Sequence, residues 1–136
     1  MVVVSVPELD SNRVNILNSW REIGRTEIIK DNLNPKFIKS FMMNYYFEET
    51  QPIRFAVYDI DEDSSSRLQD QDFIGEAIVN LGEIVGARGQ SVAKPLQNSH
   101  APSRKNGLIK IFAEEVRSIN DLAFFDFKAR LSASPL

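Results

Sequence analysis

The chain has 136 residues, 43% hydrophobic and 26% charged, with a net charge of -3 and no cysteine. One domain of this size buries a core without disulfides, and thiolate metal sites and a disulfide framework are excluded. No apolar run approaches the roughly 20 residues that span a bilayer, so membrane contact would be peripheral, and the mild acidity argues against a nucleic-acid binder held by overall charge.

Period-two alternation runs along most of the chain and predicts strands. The first covers residues 2–6 and stops at "PELDSN"; the second covers 20–30 and stops at "DNLNP". "KFIKSFMMNYYF" sets Phe37, Phe41, Met43, Tyr45 and Phe47 on one side, interrupted by Lys39. "PIRFAVYDID" aligns Ile53, Phe55 and Val57 before an acidic loop begins at Asp59. A strand over 73–80 leads into "LGEIVGA", which reads as a helical turn, and a strand over 91–96 follows. After the polar loop "QNSHAPSRKNG" come "GLIKIFAEEV" and the cleanly alternating "AFFDFKARL". About eight short strands with turn residues between them predict an all-β fold, an antiparallel eight-stranded β-sandwich.

Catalytic patterns are scarce. The single histidine, His100, lies in a polar loop without a nucleophile beside it in sequence, and there is no glycine-rich phosphate loop. The segment from Asp59 to Asp72 is the informative one. It holds six carboxylates in fourteen residues, offset by Arg67 alone. Calcium takes six to eight oxygens at about 2.3–2.6 Å, so a carboxylate-dense loop suits it; a solvated turn would have the same composition. Asp59 and Asp61 leave the strand one residue apart, and Asp72 closes the loop from the other side. Asp59, Asp61 and Asp63 also imitate the opening of an EF-hand, but Ser64 stands where its glycine belongs and Asp70 where its glutamate belongs. The flanks read as strands.

The strand ending "VYDID", the variable insert and the strand opening "DFIGE" resemble the third calcium loop of C2 domains. "LNPKFIKSF" resembles their second top loop and the strand after it. Within that superfamily, "REIGRTEIIKDNLNPKF", "NYYFEETQPIRFAVYDIDED", "IGEAIVNLGEIVGARG" and "GLIKIFAEEV" resemble the first C2 domain of copines, in the same order and over residues 1–117. The resemblance implies a C2-type sandwich over 1–118 that begins after the family's first strand and first calcium loop. Residues 119–136 resemble the opening strand of a following C2 domain, and are expected to complete the sheet beside 107–116 with Phe125 and Phe127 facing the core. Asp59, Asp61 and Asp72 match the family's calcium ligands, while Asp70 and Asp63 are further candidates. Arg25, Lys30, Lys36 and Lys39 are candidate lipid contacts.

The implied function is calcium-responsive binding to anionic phospholipid, without enzymatic activity or nucleic acid. The implied location is cytoplasmic, reversibly at the membrane. Three family-matched carboxylates are few for a tight site, so weakened Ca2+ binding is expected. The alternative is a calcium-independent protein-interaction module.

Overall fold

The computed structural model describes residues 1–29, 35–60, 67, 71–100, 107–117 and 123–132, with the backbone alone described at 115–117 and 123–132. Its strands are β1 (Val2–Leu9), β2 (Asn15–Arg25), β3 (Lys36–Asn44), β4 (Pro52–Asp59), β5 (Asp72–Asn80), β6 (Ser91–Pro95), β7 (Leu108–Arg117) and β8 (Ala123–Ser132). One short helix, α1 (Leu81–Gly86), and a 3-10 turn at Arg88–Gln90 lie between β5 and β6. The strands form two four-stranded sheets, ordered β2-β1-β4-β5 and β3-β8-β7-β6. Every pairing is antiparallel.

The alternation read from sequence places the core. Val2 and Val4 of β1, Ile53, Phe55 and Val57 of β4, and Ala77 and Val79 of β5 are buried on one side. Phe37 and Phe41 of β3 and Ile109, Ile111 and Ala113 of β7 join them from the other sheet. Leu81 and Ile84, three residues apart on one face of α1, close the core at its margin. Gly24 of β2 packs against a ring of the other sheet: a Cβ there would stand 2.5 Å from Cε1 of Phe41. Only a residue without a side chain leaves room for that ring.

Three expectations need correction. The first strand runs on through Pro7 to Leu9 instead of stopping at Val6. Beyond Ser5, β1 pairs with β2 and no longer with β4, so the missing Pro7 N–H faces an open edge and disrupts no ladder. The second strand lies at Asn15–Arg25, earlier than 20–30, because the Thr26 hydroxyl and the Glu27 carboxylate bond the backbones of β1 and β3 where the strand would continue. Phe47 is 84% exposed, not part of the apolar side of β3. The side chain of Gln51 ends β3 at Asn44: its Oε1 accepts from Tyr46 N at 2.8 Å and its Nε2 donates to Asn44 O at 2.8 Å.

The register of β3 explains why Lys39 breaks its pattern. A shift between Lys36 and Ser40 marks a bulge, and Ile38 and Lys39 are both exposed across it. The Lys39 ammonium then lies 5.5 Å from the centroid of the Phe41 ring.

β8 lies between β3 and β7 and pairs with both, from Leu108↔Ser132 to Arg117↔Ala123 on one edge and from Lys36↔Arg130 to Asn44↔Phe124 on the other. Among the described residues β3 has no other strand partner. The side chains of Phe125 and Phe127 lie outside the described part. Deleting residues 119–136 removes both ladders, and the product is expected to unfold or aggregate. A truncated monomer that kept the full melting temperature in a thermal scan would contradict this.

Candidate functional site at the acidic end of the sandwich

The start of β1, the end of β2, the start of β3, the end of β4 and the start of β5 gather at one end of the molecule. The links are short. Thr26 N donates to Val2 O at 2.9 Å and Tyr58 N donates to Met1 O at 2.9 Å. Val2 N in turn donates to the buried Thr26 Oγ1 at 2.8 Å, and that hydroxyl donates to Glu27 O at 3.1 Å. The Glu27 carboxylate accepts from Ile38 N at 3.0 Å and Lys39 N at 3.4 Å, filling the bulge of β3 and fastening the second sheet to the chain leaving β2.

Asp59 and Asp72 face each other directly across β4 and β5. Both are exposed. The preceding pair, Tyr58 and Phe73, packs in a tilted arrangement, with ring centroids 5.4 Å apart and an interplanar angle of 55°. A bulge between Val57 and Tyr58 increases the local twist just before this pair. Like charges directly opposite each other in a sheet are destabilising, so the register itself places an electrostatic cost at the mouth of the acidic loop. The Met1 ammonium lies nearby and donates to Tyr58 O at 3.1 Å. Its burial lowers its pKa, and the charges of Asp59 and Glu27 oppose that shift.

Of the other candidates, Asp61, Asp63, Asp70 and Lys30 lie outside the described residues. Among the described residues no group of three or more histidines, aspartates or glutamates is placed to hold a metal ion. Arg25 ends β2 at the same end, but its Nε donates to Glu22 Oε2 at 3.0 Å, so part of its charge is spent locally. Lys36 is exposed at the start of β3, and Lys39 is exposed on the bulge. His100 is exposed in its loop, its backbone N–H donating to Asn98 Oδ1 at 2.9 Å.

Thr26 and Glu27 were missed by the sequence reading because that reading placed them inside a strand. No pattern in "RTE" distinguishes a carboxylate that bonds another strand's backbone from one in water.

A family profile for the C2 domain matches residues 2–96. The chain is also 37% identical over 115 residues to nicotinic receptor-associated protein 1 of Caenorhabditis elegans. That match covers 77% of this chain and 18% of the relative, so the chain spans less than a fifth of the relative's length.

In a buffer containing a chelator, Asp72→Asn is expected to stabilise the protein by about 0.2–1 kcal/mol, the usual size of a cross-strand charge effect. Urea denaturation measures it. A loss of stability would show that the carboxylate is favourably engaged without metal.

Proposed function

The chain belongs to the C2 domain family, and on that premise we propose that it is a calcium-responsive phospholipid-binding module for peripheral membrane recruitment, with a weakened calcium site. The opposed Asp59–Asp72 pair at the mouth of the acidic loop carries the reading. Two carboxylates held face to face, with four more in the loop between them, have the hard oxygen chemistry that calcium selects. Asp59, Asp61 and Asp72 would hold the ion, with Asp63 and Asp70 within the same loop as further donors. When bound, calcium supplies positive charge to a negative end and offers ligand positions to anionic lipid oxygens.

The chain's own residues provide the rest. Lys36 and Lys39 project on the side of the second sheet, and Lys30 precedes them in the connecting segment. Each basic residue near an anionic surface contributes roughly 1 kcal/mol; Arg25 contributes less because Glu22 shares its charge. Glu27 fixes the bulge that presents Lys39. The reading includes no catalytic step and no nucleic acid, and it puts the protein in the cytoplasm, reversibly at the membrane.

The motif resemblance to copines suggests a finer architecture. Residues 1–118 would correspond to the first C2 domain, and β8, which resembles the opening strand of a following one, would complete an eight-stranded sandwich. Asp59, Asp61 and Asp72 are few carboxylates for a tight site, so calcium would bind weakly. A calcium-independent protein-interaction module is the second reading. The receptor-associated name of the worm relative favours it.

Sedimentation with phosphatidylserine-containing liposomes tests the proposal. Binding is expected in calcium, to be reversed by a chelator and to fade as salt screens charges beyond about 8 Å at physiological strength. Tight binding insensitive to both salt and calcium would overturn it. Failure to bind in calcium at low salt would favour the protein-interaction reading.

A further inference from the structure

Basic residues gather on the outer face of the second sheet. Phe37 and Phe41 of β3 and Ile109 and Ile111 of β7 belong to the core, so the residues alternating with them lie on the opposite face. The register sets three basic residues there in one row across three strands. Lys36 is opposite Arg130, and Arg130 is opposite Lys110. Lys128 holds the next outer position of β8, opposite Ser40 and Phe112. Strands lie about 4.8 Å apart, so the row spans roughly 10 Å of backbone. Like charges directly opposite each other in a sheet cost stability. On the first sheet carboxylates offset such charges: Arg25 is paired with Glu22, and Arg54 with Glu76. Lys36 and Lys110 are exposed, and among the described residues neither has a carboxylate at ion-pair distance.

Apolar side chains stand beside these cations. Ile38 is 83% exposed on the bulge of β3, between Lys36 and Lys39, and Leu108 at the start of β7 is 44% exposed. Both β3 and β7 run antiparallel to β8, so Ile38 and Leu108 share the end of the sheet where the acidic loop lies. Two rows further along the sign reverses, with Met42, Asp126 and Glu114 side by side in the register.

A soluble phosphate anion would meet the cations and leave Ile38 and Leu108 in water. An anionic bilayer takes both, with basic groups among its headgroups and aliphatic groups at the acyl boundary. We propose that this corner of the second sheet lies against an anionic phospholipid surface. Lys36 and Lys110 sit among the headgroups, Ile38 and Leu108 insert, and the positions of Lys128 and Arg130 fall under the same surface. The row of Glu114 and Asp126 is lifted away from the like-charged lipid, which tilts the domain. This contact rests on the phospholipid-binding reading and adds to it a face, a depth and a tilt.

The chain has no cysteine, so one substituted cysteine places a fluorescent label at one site of the whole protein. The variants are Ile38→Cys, Leu108→Cys, Met42→Cys and, as reference, Leu17→Cys, each checked by a melting curve. Leu17 is 87% exposed near the start of β2, at the opposite end of the molecule. The probe is a phosphatidylcholine–phosphatidylserine vesicle carrying nitroxide quenchers on its acyl chains, in calcium at low salt, with sedimentation run in parallel. Labels at 38 and 108 should be quenched, the label at 42 less, and the label at 17 not at all. Lys110→Gln should lower vesicle partition about fivefold, the effect of one cation near an anionic surface, and Glu114→Gln should raise it. Vesicle-bound protein with unquenched labels at 38 and 108 would overturn the proposal and leave the calcium reading standing. Equal quenching at 17 and 38 would overturn it in the same way. No sedimentation in calcium would overturn both. Binding to soluble polyglutamate without quenching by vesicles would make an acidic protein segment the occupant instead.

Discussion

β3 is held in its sheet by β8 alone among the described strands, and much of the acidic end depends on that ladder. The bulge in β3 gives Glu27 two backbone donors, and the same bulge turns Lys39 toward solvent. Phe37 and Phe41 descend from β3 into the core, with Phe41 fitted against Gly24. A strand bonded on both edges cannot be lost without unpairing two neighbours, β3 on one side and β7 on the other. Domains are stable by only about 5–15 kcal/mol, so the basic surface and the core that supports it are secured by the same backbone hydrogen bonds.

The acidic end is organised by the opposite kind of constraint. Register with a buried core fixes which residues of β4 and β5 are paired. Phe55 and Val57 point inward with Ala77 and Val79; in that register Asp59 would meet Phe73, and the bulge after Val57 shifts it opposite Asp72. The repulsion is thus imposed by the fold. Local rules broken while the surroundings obey them are a usual mark of functional sites, and here the broken rule is charge pairing.

The core was legible in the sequence because alternation is a direct consequence of strand geometry. Ile53, Phe55, Val57, Phe37 and Phe41 could be assigned to buried faces from spacing alone, as could the helical turn at Leu81–Gly86. What escaped were effects of single side chains on backbone. Gln51 ends β3 before Phe47, and Thr26 and Glu27 end β2 early; neither has a periodic signature. Pro7 misled the reading because proline disrupts a strand only where a neighbour needs its N–H, and pairing is not visible in sequence. At the site, the acidic composition was plain, but the direct opposition of Asp59 and Asp72 needed the register of two strands.

The central claim is that both ends of the acidic loop share one cation. A calcium titration followed by amide NMR tests it most directly. The account predicts that the signals of Asp59, Asp61 and Asp72 move together with a single saturation curve, because one ion bridges the end of β4 and the start of β5. Shifts confined to residues 63–70, with Asp59 and Asp72 unmoved, would contradict it.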